Sequence, residues 1–296
     1  MTQTKFIMDS AGDLPREYLL EHDISIIGYD YSINDAYYHY TTDSDSAGGP
    51  TLMEFYALMR AGAAPATTLI NPQQYVEFFE PELAAGRDVF HVTISSGLSG
   101  TYCNAVLAAR ELEAQYPGRK VRVIDSLSAT CGEGIVMRLM IEKYQEGVSG
   151  GALEEFINAN KLRVHHRFTV NDLVYLKRGG RISSATALIG GILNIKPLLY
   201  INNEGKLISN DKTQGRKRAL KGLVDFMVKD VPPGYAGPLY IAHADCEEDA
   251  NLLNKMISRE LGREADAVLP LSPLVGAHTG PGMASLFYLM DNPDRG

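Results

Sequence analysis

Positive charge is in short supply in this 296-residue chain: 28 Lys and Arg stand against 36 Asp and Glu, a formal net charge of −8. No basic stripe of the kind that faces phosphate backbones is present, so a nucleic-acid role finds no support. Acidity of this size favours solubility and says little about partners. Cysteine is sparse as well. Cys103, Cys131 and Cys246 form no CxxC pair and have no histidine at metal-ligand spacing, which argues for a reducing compartment over a disulfide framework. Long apolar runs are missing: the longest, 185–201, is broken by Gly190, Gly191, Lys196 and Pro197 and cannot span a bilayer. The opening MTQTKFIMDS lacks the apolar core of a secretory signal. The expectation is a soluble, cytoplasmic protein. Neither GxxxxGK[ST] nor a kinase-type Gly-rich loop occurs, so the chain is not expected to use ATP itself.

What is there reads as a folded protein. The hydrophobic fraction is 45% and the charged fraction 22%, and the length suits two domains. The first half alternates apolar runs (5–8, 24–28, 88–94, 120–125) with helix-like segments. Thr51 and Glu54 make a capping box, Asn71-Pro72 opens another helix, and 102–115 reads as a third. Strand, polar loop and helix in repetition predict a parallel sheet with helices on both faces. The second half is hairpin-like: 196–201, then Asn202-Asn203-Glu204-Gly205, then 206–209. Helical patterns follow at 215–229 and 247–261, with strands at 239–242 and 265–271. The predicted class is α/β in two domains, an N-terminal parallel-sheet α/β/α domain over 1–158 and a C-terminal α+β domain over 159–296.

In a parallel sheet, ligands meet the loops that leave the strand C-terminal ends. Three such loops are small and polar: Asp9-Ser10, 95–101 and Asp125-Ser126. The Ser/Gly loop 95–101 lets backbone approach a ligand, and the following helix offers free N–H groups to an anion, with hydroxyls from Ser96, Ser99 and Thr101. The same serines would equally serve as helix caps. Thr67-Thr68 reads first as a turn with satisfied hydroxyls. His278-Thr279-Gly280-Pro281-Gly282 predicts a tight turn in which His278 supplies a donor to a carboxylate or phosphate. Lys177-Arg178-Gly179-Gly180-Arg181 reads either as a helix stop with cations at the favourable end or as a turn holding Arg181 out to a phosphate. The cations at 216–218 begin a helix and read as a solvated charge run, with Lys212 nearby.

Taken in order, these segments resemble the DegV family. The resemblance runs from Asp9-Ser10 with Asp13-Leu14-Pro15, through 95–102 and Asp125-Ser126, to 176–182, Ile195-Lys196-Pro197 and 276–282. It implies a fatty acid of about C14 to C18 buried between the two domains, no cofactor, and a role as acyl-binding subunit of a bacterial fatty acid kinase. A separate ATP-using protein would phosphorylate the bound carboxylate, and any contact with a membrane surface would be transient. By motif, the carboxylate would meet Thr67, Ser99, His278 and Thr279, with Ser96 lining the same pocket, while Arg181 and Lys212 would face the kinase. The family's usual Thr-Ser-Gln-Pro stands here as Thr67-Thr68-Leu69-Ile70, keeping the hydroxyl pair. Lys212 stands where some relatives carry arginine, a point charge in place of a bidentate fork. A tail of ~14 buried methylenes contributes on the order of 11 kcal/mol of gross transfer free energy, so a modest head-group site suffices.

The rival reading is a serine hydrolase, since Ser99, then Asp125 or Asp245, then His278 follow the chain order of an α/β-hydrolase triad. Against it, Gly97-Leu98-Ser99-Gly100-Thr101 is not GxSxG, and no HGGG-type oxyanion motif occurs.

Overall fold

A computed structural model of the chain describes residues 3–41, 48–182 and 194–295. Of the apolar run 185–201, residues 185–193 therefore lie outside the described ones. The N-terminal sheet is parallel. Strands β1 (Thr4–Asp9), β2 (Ile24–Ile27), β6 (Asp88–Thr93) and β7 (Val121–Asp125) lie in the order β2-β1-β6-β7. Between them in sequence run α1 (Arg16–Glu21), α2 (Leu52–Arg60), α3 (Pro72–Ala84) and α4 (Thr101–Gln115). The capping box read from sequence is formed, Thr51 with Glu54 starting α2; α3 opens at Asn71-Pro72 as expected, and there the structure adds a second capping box, Asn71 with Gln74.

A second, six-stranded sheet is built from β8 (Val164–Thr169), β9 (Ile195–Ile201), β10 (Leu207–Gln214), β11 (Leu239–His243), β12 (Ala267–Pro270) and β13 (Ala284–Leu289), in the order β10-β9-β8-β13-β11-β12. Only β11 and β12 are parallel within it. The hairpin expected at 196–209 is β9 and β10, lengthened to Gln214 past a register shift between Ser209 and Asp211. Two helices, α5 (Cys131–Gln145) and α6 (Gly150–Asn160), join the sheets. Residues 158 and 159 lie in the last turns of α6.

Strand alternation explains the layering. Ile7 and Val89 pack with Tyr75 and Phe79 of α3 and Ala105 and Leu112 of α4. Their neighbours Phe6, Met8, Phe90 and Val92 turn the other way, onto Ile135, Met137 and Met140 of α5. The far side of α5 packs against Phe168, Tyr240 and Phe287 of the second sheet. That sheet's opposite face, with Leu239, Ile241 and Leu286, covers α8 (Arg216–Asp230) and α9 (Glu247–Leu261). The helix α5 is thus the shared middle layer, and each of its fully buried large side chains contributes roughly 1.5–3 kcal/mol.

A third, small sheet was not expected from sequence. The strands β3 (Tyr29–Ile33), β4 (Ala36–Tyr40) and β5 (Ala66–Thr67) form it in the order β4-β3-β5. Asn34 and Asp35, at φ 51° and 63°, make the two-residue turn of its hairpin. The short helices α7 (Val174–Arg178) and α10 (Pro273–Thr279) pack together beside it. This corrects the turn expected at 278–282: His278 and Thr279 end a helix, and the turn begins at Gly280, φ 76°.

Candidate functional site

Between the two large sheets lies a cavity of about 530 Å3, within the usual range of ligand sites. Its walls are mostly apolar: Leu98, Leu176, Ile201, Leu207, Leu274, Met283, Phe168 and Phe287 contribute from both halves of the chain. The roof is a contact between loops. Gly97 sits so close to the β9–β10 turn that a Cβ would come within 2.7 Å of the carbonyl oxygens of Glu204 and Gly205. Ser95 Oγ donates to the Gly205 carbonyl at 2.8 Å and accepts from Gly97 N–H at 3.1 Å. Small residues in this loop therefore serve a close crossing of backbones.

The polar lining is concentrated on a few elements. Thr67, at the end of β5, faces His278 at the end of α10, with Oγ1 and Nε2 2.9 Å apart. The imidazole is largely buried, and burial, then the Arg181 charge, pushes its pKa down to about 4. It is neutral at neutral pH, with one nitrogen a donor and the other an acceptor. Arg181 donates through Nε to the Leu98 carbonyl at 3.2 Å and through Nη1 to that of Gly179. Ser99 Oγ lies 2.8 Å from Thr101 Oγ1, which also accepts from Tyr29 OH at 3.0 Å. Thr279 Oγ1 donates to the Val275 carbonyl at 3.1 Å. Hydroxyls, the neutral His278 imidazole and a half-buried guanidinium are thus among the groups that line one apolar chamber, an arrangement that hydrogen-bonds an anion while burying a hydrocarbon chain.

Residues 3–291 match the model of a family described as "Uncharacterised protein, DegV family". The chain belongs to the DegV family. Among its DegV relatives, a DegV domain-containing protein of Clostridium perfringens is 35% identical over 292 residues, 98% of this chain and 99% of that protein. One from Lactococcus lactis is 32% identical, covering 96% and 97%. Solved structures agree in fold. A stearic acid-binding protein of Eubacterium ventriosum superposes with a TM-score of 0.87 at 25% identity, over 97% of this chain and 98% of that one. A DegV family protein of Thermus thermophilus, characterised for fatty acid binding, gives 0.84 at 28% identity, over 98% and 100%.

Of the residues singled out in the sequence of this DegV chain, Thr67, Ser96, Ser99, Arg181, His278 and Thr279 all line the one cavity. Lys212 does not: it is exposed on β10. The nucleophile–base–carboxylate chain of a hydrolase is not assembled among the described residues. Ser99 bonds to Thr101, and His278 Nε2 to Thr67. Asp125 accepts from the N–H groups of Ser96 and Leu127, and Asp245 pairs with Arg60. The cations at 216–218 are less solvated than their sequence suggests, since Arg216 binds Asp249 at 2.8 Å and the Gly282 carbonyl at 2.7 Å.

Sequence reasoning missed the network behind the DegV loop motif. Asp9 is fully buried and accepts from the N–H groups of Ala11 and Ile94, each at 2.9 Å, with Tyr29 OH 3.4 Å from its Oδ2. Burial pushes its pKa up to about 6, opposed by those bonds. Glu133, on α5, is raised well above the carboxylate range by burial and by the charges of Asp9 and Asp13. This network runs Asp9–Tyr29–Thr101–Ser99 and fixes the serine hydroxyl from behind. Nothing in the sequence around Tyr29 signals its role, because an apolar run hides a tyrosine whose only polar atom is used internally.

Proposed function

We propose that this chain binds a long-chain fatty acid, of about C14 to C18, in the cavity between its two halves. The carboxylate is held by Thr67, Ser99, His278 and Thr279 with Ser96 alongside, and is presented to a separate ATP-dependent fatty acid kinase that forms the acyl phosphate. In this reading the chain performs no chemistry itself, works in the cytoplasm without a cofactor, and touches membranes only at their surface. Arg181 and Lys212 face the kinase or the transferred phosphoryl group. The observation that carries the reading is the chamber itself: aliphatic and aromatic walls from both sheets, with the Thr67–His278 pair among its few polar groups. The stearic acid-binding and fatty acid-binding relatives share the fold and support the ligand class. Among the described residues no helix is long and apolar enough to cross a membrane and no metal-ligand cluster occurs.

The test is native mass spectrometry of the purified protein, followed by organic extraction and lipid identification. A stoichiometric C14 to C18 acid supports the reading. A protein that is empty and takes up no added fatty acid overturns it. The kinase step is tested by adding a bacterial fatty acid kinase and ATP to the loaded protein. Arg181→Ala should keep the lipid and lower acyl-phosphate formation, whereas loss of lipid binding in that variant would remove Arg181 from the partner-facing role. Labelling of Ser99 by a fluorophosphonate probe would restore the hydrolase reading.

A further inference from the structure

Two polar side chains on the cavity wall belong to none of the interactions above. His166, on β8, is 2% exposed, and neither of its ring nitrogens has a hydrogen-bond partner among the described residues. Thr130, the N-cap residue of α5, is also 2% exposed; its hydroxyl is likewise unpartnered and makes no capping bond. Both residues line the cavity. They also converge, since Gly132, two residues after Thr130, approaches His166 so closely that a Cβ would lie 2.0 Å from Nε2. Among the described residues the ring is held by packing, edge-on to Phe287 at 5.4 Å. Buried polar groups are almost always paired, and each exception calls for a cause.

The position of the pair along the cavity follows from strand register. His166 lies opposite Phe287 on β13. Met283 and Phe287 both line the cavity, and four residues of strand separate them by ~13 Å. Met283 follows shortly after the His278–Thr279 end of α10, so His166 lies well along the chamber from that end.

We propose that His166 and Thr130 form a second polar subsite, which takes a hydroxyl or oxo group carried on the acyl chain remote from the carboxylate. The inference rests on the fatty-acid reading and narrows its ligand class to oxygenated long-chain acids. Burial keeps His166 neutral, so its ring offers one donor and one acceptor. A chain hydroxyl satisfies either and can also meet the Thr130 hydroxyl, whereas a plain methylene chain leaves both residues unpaired.

The test is competitive displacement of a fluorescent fatty acid from the full chain by stearate and by a positional series of monohydroxystearates. It is run on wild type, His166→Leu and Thr130→Val, with melting curves to show that each variant is folded. The expectation is that one hydroxyl position binds about tenfold better than stearate to wild type, as one satisfied hydrogen bond implies, and that either variant removes the preference while keeping stearate. A hydroxystearate-to-stearate ratio that is the same in wild type and in the folded variants, at every position, overturns the subsite while leaving the fatty-acid reading intact. That outcome also marks the unpaired groups as serving an ordered water. Failure of stearate and all its hydroxy derivatives to bind overturns both.

Discussion

Thr67 Oγ1 and His278 Nε2 stand 2.9 Å apart although 211 residues separate them in sequence. The contact joins the short third sheet to the last helix, and therefore the two halves of the chain, at the cavity wall. Because His278 is neutral, the pair forms without a charge, and an entering carboxylate meets donors and no competing anion.

Replacing either partner should weaken fatty-acid binding far more than it weakens the fold. A hydrogen bond to a charged group is worth ~1.5–3 kcal/mol, so His278→Ala should raise the dissociation constant by roughly 10- to 150-fold. Thr67→Val should act in the same direction, and the double variant should cost less than the sum of the two. The chain has no tryptophan, which makes displacement of a fluorescent fatty acid the suitable readout. Unchanged affinity in a folded His278→Ala protein would remove His278 from the head-group site.

Gly179 offers a subtler perturbation of the same group. Its φ of −72° suits any residue, so no backbone strain attends substitution. A Cβ there, however, would sit 2.4 Å from His278 Nδ1. Gly179→Ala should therefore push the ring off Thr67 and reproduce most of the affinity loss of His278→Ala, with little change in melting temperature. Native-like affinity would mean that the ring moves aside without cost.

Much of this was legible in the sequence where local rules decide the structure. Thr51 with Glu54 and Asn71 with Pro72 write their helix starts into nearby residues, and Asn202 to Gly205 writes a hairpin turn. The second half's helices were equally clear, because 247–261 has a single apolar face. The helix α5 escaped notice because it is buried between two sheets: Gly132, Gly134, Ile135, Val136 and Met137 are buried on every side, so no polar face marks its period. The β3–β4 hairpin turns on Asn34-Asp35 without glycine. Of the site, the motif residues could be named, but the bond between Thr67 and His278 depends on a fold that brings distant segments together. The bond of Arg181 to the Leu98 carbonyl, and the Asp9–Tyr29–Thr101 support, are equally tertiary.

Stability should vary with pH in a way that Asp13 explains. Asp13 is buried, with one carboxyl oxygen unpartnered, and burial pushes its pKa from 3.8 up to about 8. Between those values the folded protein holds a proton that the unfolded chain has released. Its contribution is full below about pH 4 and is lost as pH rises to 8. Buried histidines run the opposite way: His91, His165 and His278 fall from 6.5 to about 3, 4 and 4, so their contribution is full above 6.5 and lost as pH falls. From about pH 6.5 to 8 the histidine part is constant, and the decline belongs to Asp13 with Glu133. Melting temperature should drop across that window in wild type and drop much less in Asp13→Asn. Parallel curves for the two proteins would refute this assignment.

Two arginines tie distant parts of the chain together, and burial separates their worth. Arg60 pairs with Asp245 and donates to its carbonyl at 2.9 Å, but its side chain is 47% exposed, where an ion pair contributes ~0–1 kcal/mol. Arg295 is 2% exposed. It donates to the carbonyls of Leu127, Leu162, Lys161 and Asn202 and to Ser128 Oγ. It thereby fastens the loop after β7, the end of α6 and the β9–β10 turn to one guanidinium. No carboxylate forms an ion pair with it among the described residues, so its charge is held by dipoles, and removing it strands several buried acceptors at once. Each stranded acceptor costs ~1–3 kcal/mol unless water reaches it. Arg295→Ala should therefore lower unfolding free energy by about 3 kcal/mol or more, read as a lower urea midpoint at unchanged slope, while Arg60→Ala shifts it by under about 1 kcal/mol. Arg295→Lys should recover only part of the loss, because one ammonium cannot reach carbonyls spread around a planar fork. Equal midpoints for Arg295→Ala and Arg60→Ala would show that water enters and satisfies the carbonyls, and that the C-terminal segment does not clasp the two halves.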